Sequence, residues 1–167
     1  MLIRNEEEND WAAVRTLNTA VFETPTEANL VDALRREAYP VISLIAEENQ
    51  AIFGHIMFSP VLLSGHSKLK IMGLAPMAVA LEHQRMGIGS TLVCAGLKQC
   101  KRLGYGAVVV LGHPEYYPRF GFSPAARFDI GCEYEVPKDV FMVVELQPGF
   151  LHGASGKIKY HAAFSNV

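Results

Sequence analysis

Met77-Ala78-Val79-Ala80-Leu81-Glu82-His83-Gln84-Arg85-Met86-Gly87-Ile88-Gly89-Ser90-Thr91 turns a strand into a helix, and the fold is decided there. Upstream, Leu69 to Ala80 has the apolar composition of a long strand, interrupted by Gly73 and Pro76. Proline donates no ladder hydrogen bond, so this strand is expected to bulge or part from a neighbour near Pro76. Downstream, Leu92, Val93, Leu97, Cys100 and Leu103 recur at helical spacing over Ser90 to Leu103, with Gly104 placed as the C-terminal cap. A helix N-terminus presents amides without intrahelical partners and the positive end of the macrodipole. Gly87 and Gly89 let an anion approach that backbone, Gly89 permits unusual torsions, Arg85 adds charge, and Ser90 or Thr91 offers a hydroxyl. Pyrophosphate suits this geometry. The run is neither a P-loop, since no lysine follows Gly89, nor a dinucleotide fingerprint, which needs a third glycine after a first strand.

The charge around the loop points the same way. Between His66 and Tyr105, Lys68, Lys70, Arg85, Lys98, Lys101 and Arg102 stand against Glu82 alone, in a chain of formal net charge −2. A basic segment inside an otherwise acidic protein suggests a local anion site. At 167 residues, 50% hydrophobic and 19% charged, the chain is expected to form one domain with ample apolar surface to offset ordering entropy, which excludes disorder as its main state. Apolar runs such as Ala107 to Leu111 fall far short of the roughly 20 residues of a membrane span. No basic segment followed by an apolar one opens the chain, and Cys94, Cys100 and Cys132 lack metal-ligand or disulfide spacing. The expectation is a cytoplasmic protein without metal, nucleic-acid or membrane partners, with Cys94 and Cys100 in the core.

Flanking segments supply a mixed sheet with helices on its faces. Met1 to Arg4 reads as a strand, and Asp10 as the N-cap of a helix carrying Trp11, Val14, Leu17 and Val21. Thr24-Pro25-Thr26-Glu27 reads as a capping box opening a second helix that ends before Pro40. Val41 to Glu47 and Ala51 to Phe58 form a hairpin about Asn49-Gln50, and Val61 to Ser64 extends it. Later strands are expected at Ala107 to Leu111, Val140 to Leu146 and from Lys157.

Ala78-Val79, then His83-Gln84-Arg85 and Gly87-Ile88-Gly89, resembles the acetyl-CoA signature of the GNAT superfamily of N-acetyltransferases. Tyr117-Pro118-Arg119-Phe120-Gly121-Phe122 is similar to that family's tyrosine-containing signature after the fifth strand. The resemblance covers roughly residues 1 to 147. Gly112 to Phe122, and more weakly Tyr160-His161, further resemble a bacterial branch of predicted N-acetyltransferases. It implies an α/β fold, a GNAT-like mostly antiparallel sheet splayed between its fourth and fifth strands and flanked by helices. It also implies a single N-acetyltransferase domain over 1–167, with signatures at 77–91 and 117–122 and an extension at 148–167.

The same resemblance implies roles. Backbone groups of Met77, Ala78 and Val79 would pair with the pantetheine arm of acetyl-CoA, much as an added strand does. The amides of Gln84, Arg85, Met86, Gly87, Ile88, Gly89 and Ser90 would hold its pyrophosphate. A small-molecule or peptide amine would attack the thioester directly, with an N–H near Met77 stabilising the oxyanion. Tyr117 is the matched proton donor to the leaving thiolate, and Tyr116 the fallback. Glu82, His83, His55, Glu47 and His113 are candidate bases, none singled out. Homodimerisation is a family habit. The usual asparagine after the fifth strand is replaced here by Gly112-His113-Pro114-Glu115, so the following helix is expected to be short. A non-catalytic acyl-CoA sensor remains the alternative.

Overall fold

β1 (Leu2–Asn5) pairs antiparallel with β2 (Ile42–Glu48), which pairs antiparallel with β3 (Ala51–Leu63). Asn49 and Gln50 join β2 to β3 with φ of 52° and 67°, the positive values a type I′ hairpin turn requires. Residues 54 to 59 of β3 are all buried, because helices cover both faces of the strand. On one face Met57 packs with Val14 of α1 (Trp11–Phe22) and Leu30, Val31 and Leu34 of α2 (Thr26–Glu37). On the other, a Cβ added to Gly54 would lie 3.0 Å from Ile88 and Leu92 of α3 (Ile88–Arg102), and one on Gly96 would lie 2.1 Å from the Phe58 ring. Gly54 and Phe58 are four residues apart and share a face, whereas Met57 lies on the alternate one. Burying Leu34 or Phe58 fully contributes about 1.5–3 kcal/mol each.

The computed structural model describes residues 1–166 and comprises two compact units. The elements above belong to the first, which contains Met1–Ser59, Ala75–Gly96 and the residues from Ala162. The second contains Pro60–Leu74 and Leu97–His161, so β3, β4 (Ile71–Val79) and α3 run through both. In the second unit β5 (Ala107–Leu111) lies parallel to the start of β4 and antiparallel to β8 (Phe141–Glu145), which also pairs with β6 (Ser123–Pro124). The strand order is β1-β2-β3-β4-β5-β8-β6, the expected mixed sheet with helices. β7 (Ile130–Cys132) and β9 (Gly156–Lys159) pair with each other, and β9 with the end of β3. Val61, Leu63, Ile71, Val109, Phe141 and Ile158 belong to the core of this unit. Among the described residues no helix is long and apolar enough to cross a membrane.

Several local expectations are corrected. The β4–β5 ladder ends at Gly73, three residues before Pro76, where a Cβ would meet Val61 at 2.9 Å and the Tyr160 ring at 3.0 Å. Thr24 forms no capping box: its Oγ1 takes only a 3.4 Å hydrogen bond from the Thr26 amide, and α2 begins after Pro25. Asp10 precedes α1 as expected, but its carboxylate accepts from Arg4 and the Glu7 amide rather than capping α1. Leu103 is exposed because α3 ends one residue before it, and Cys94 because it falls off the face of α3 that buries Leu92, Val93 and Cys100. Gly104, at φ 88°, ends α3 as expected.

Candidate active site

The segment between β4 and α3 lies in the first unit. Ala80 donates to the Phe53 carbonyl at 2.8 Å, and a 3-10 turn over Leu81–His83 then reverses the chain. Gln84 Nε2 donates to the Val79 carbonyl at 2.9 Å, bracing the loop against the end of β4, while its own amide leans on the Leu81 carbonyl at 3.4 Å. Arg85 and Gly87 adopt φ of 65° and 85°. The left-handed torsion falls at Gly87 rather than Gly89, which is already helical. Nothing lies within 4 Å of a Cβ placed on Gly87, so the backbone there is open to a ligand. Thr91 gives both its amide (3.0 Å) and its hydroxyl (2.9 Å) to the Gly87 carbonyl, so its hydroxyl proton is committed to the chain itself. Of the six cations in the basic segment only Arg85 stands in the loop. Lys101 and Arg102 occupy the last turn of α3, where the macrodipole favours them, and Lys70 Nζ donates to the Leu103 carbonyl. A helix's first-turn amides lack intrahelical acceptors, and beside Gly87 and Arg85 the start of α3 has the chemistry of a diphosphate site.

Met77 and Val79 are half-buried and Ala78 buried, all beyond the last residue of β4 paired to β5. Tyr117 lies in the second unit, at the start of a 3-10 turn over Tyr117–Phe120, the short helix expected. Its ring fills the space beside Gly112, where a Cβ would sit 2.3 Å away, and meets the rings of Tyr116 and Phe122 edge to face at 5.0 and 5.6 Å. Burial, with a smaller push from Tyr116, raises the Tyr117 phenol to about 12. That phenol therefore stays protonated throughout the physiological range. Tyr116 is less buried, with the Arg119 guanidinium 4.5 Å from its ring centre.

The candidate bases are scattered. Glu47 is bound by Arg4 at 3.0 Å, Glu82 and His113 are exposed, and His83 stacks on Phe53 at 3.8 Å, its Nδ1 buried without a hydrogen bond and 3.9 Å from the Glu82 carboxylate. His55 is fully buried: Asn18 Nδ2 lies 3.3 Å from Nδ1, and Ser43 Oγ lies 2.9 Å from Nε2. An amide donor facing Nδ1 assigns the ring proton to Nε2, which donates to Ser43. The Ser43 hydroxyl in turn donates to Glu6, which is paired with Arg35 at 2.6 Å. No periodicity in the sequence announces this relay, because its members come from β2, β3, α1, α2 and the residue after β1.

Burial, reinforced by Arg35, holds the His55 pKa down to about 3. In the unfolded chain it returns to roughly 6.5. Between those values the unfolded chain binds a proton that the folded one refuses, so His55 destabilises progressively as pH falls from about 6.5 toward 3. The melting temperature should fall over that window, and more steeply in the native protein than in His55→Gln. Equal slopes would remove His55 as the cause.

Among the described residues no group of three or more His, Cys, Asp or Glu side chains is arranged to hold a metal ion. A family model described as an acetyltransferase (GNAT) domain matches residues 2–125. A protein of Escherichia coli strain K12, the uncharacterized N-acetyltransferase YhbS, is 36% identical over 166 residues, 99% of each chain. A second protein of that strain, the uncharacterized N-acetyltransferase YjhQ, is 37% identical over 138 residues, 80% of this chain and 76% of its own. The crystal structure of Escherichia coli YhbS in complex with CoA matches with a TM-score of 0.92 at 35% identity, over 98% of this chain and 91% of that one. A GNAT family acetyltransferase from Brucella melitensis in complex with acetyl-CoA matches with a TM-score of 0.81 at 36% identity, over 98% and 97%.

Proposed function

Since this chain belongs to the GNAT acetyltransferase family, we propose that it transfers the acetyl group of acetyl-CoA to a primary amine by direct attack through a tetrahedral intermediate. The observation that carries this reading is the loop from Gln84 to Ser90, open above Gly87 and leading into the first turn of α3. Its amides, chiefly from Arg85 to Ser90, would hold the pyrophosphate, with Gln84 fixing the loop's shape through Val79. The backbone of Met77, Ala78 and Val79 would pair with the pantetheine amides, and an N–H near Met77 would stabilise the oxyanion. The bound thioester supplies an activated acyl carbon and a thiolate leaving group with a thiol pKa of roughly 8.5.

Tyr117 would act on the departing sulfur. Complete proton transfer from a phenol at about 12 to such a thiolate is uphill by roughly 5 kcal/mol. Tyr117 is thus better suited to donating a strong hydrogen bond than to surrendering its proton outright.

The test is binding, read by calorimetry and thermal shift with CoA and acetyl-CoA. Ligand at about 100 times its Kd adds about 2.7 kcal/mol to stability, which raises the melting temperature by several degrees. Gly87→Val places a β-branched side chain at φ 85° and over the open backbone, and should weaken binding at least tenfold. No shift with either ligand in the native protein would overturn the reading.

A further inference from the structure

The second unit contains a cleft of about 560 Å³ between β7 and the start of β8. Its wall is mainly apolar: Ile130 and Phe141 are buried, Val136 and Cys132 are partly buried, and the exposed Tyr134 joins them. Glu135 and Lys138 stand exposed at its rim, one charge of each sign. The cleft is tied to the strand end that carries Tyr117. Phe141 is the register partner of Leu111, the last residue of β5, and the next residue, Gly112, donates to the Val140 carbonyl at 3.0 Å. Tyr117 packs on Gly112.

We propose that this cleft receives the body of the acceptor, and that the acceptor is a primary amine with an aliphatic or aromatic body. The proposal rests on the acetyltransferase reading above. An apolar wall gains from covering hydrocarbon, in proportion to the area removed from water. It penalises a chain bearing a second ammonium or several hydroxyls, because those groups lose water without finding partners. The rim, with one carboxylate and one ammonium, is balanced in charge and offers no acidic array for a polyamine or an aminoglycoside.

The experiment measures thiol release from acetyl-CoA with 2-phenylethylamine, isoamylamine, ethanolamine and spermidine. Each amine is given to the native protein and to two cleft variants, Val136→Asp and Ala126→Glu. Ala126 lines the cleft but is exposed, so its variant keeps the test decisive should Val136→Asp fail to fold. The native enzyme should favour 2-phenylethylamine over ethanolamine and spermidine by at least tenfold in kcat/KM. Each variant should lose about tenfold with the apolar amines, mainly through KM, while the KM for acetyl-CoA stays as it was. Transfer without apolar preference, or a preference untouched by both variants, overturns the cleft assignment and leaves the acetyltransferase reading standing. No transfer to any amine, by protein that acetyl-CoA still stabilises, overturns both.

Discussion

Replacing Tyr117 by phenylalanine should lower kcat for thiol release by about 10²–10³-fold, the range for losing a hydrogen-bond donor to developing negative charge. The ring is retained, so its packing beside Gly112 and Phe122 persists and the melting temperature stays within a few degrees of native. Acetyl-CoA affinity is also unchanged. A variant with native kcat would remove the phenol from the mechanism, and one that binds acetyl-CoA poorly would make it a structural residue. With the phenol at about 12, no alkaline limb below pH 11 belongs to Tyr117. The rate should instead climb with pH as the amine substrate, near 10.4, loses its proton.

Glu6→Ala should cost about 3–5 kcal/mol, because it strands a buried guanidinium. Glu6 and Arg35 side chains are 3% and 9% exposed, joined by two hydrogen bonds of 2.6 and 2.8 Å. Arg35 keeps Asp32 at 2.7 Å, but that carboxylate is shared with Arg15 and is far more exposed. Ser43 loses its acceptor in the same variant, and the relay to His55 loses its anchor. Urea titration should show a lower midpoint with an unchanged slope. The double substitution Glu6→Leu with Arg35→Met should recover much of the loss, since apolar groups of similar volume carry no desolvation cost. A single variant within 1 kcal/mol of native would show the pair to be dispensable.

The sequence could be read wherever one local rule governed. The α3 period, the Asn49-Gln50 hairpin and the Gly104 cap each follow from a few consecutive residues, and each forms as expected. The loop at 84–90 was legible for the same reason. Expectations failed where two side chains competed for one role. Asp10 had a nearer cation in Arg4, and Thr91 had a nearer acceptor in the Gly87 carbonyl. The Glu6–Ser43–His55–Asn18 relay was invisible because it joins residues up to 37 positions apart, with no spacing to betray them. The cleft at 126–141 was hidden for a related reason: its segment reads as mixed polar loop until β7 and β8 fix its ends.

The inward turn of Gln84 and Thr91 changes how this loop can evolve. Both side chains are tied to carbonyls of their own segment, so what the proposed site would offer a ligand is chiefly main-chain amides, identical whatever residue carries them. Met86 is exposed and, in the proposed site, would contribute its amide regardless of its thioether. Drift at such a position leaves recognition intact, whereas loss of an inward tie loosens several donors together. On the proposed reading, the binding surface is encoded less by the residues it displays than by those that hold the chain in shape.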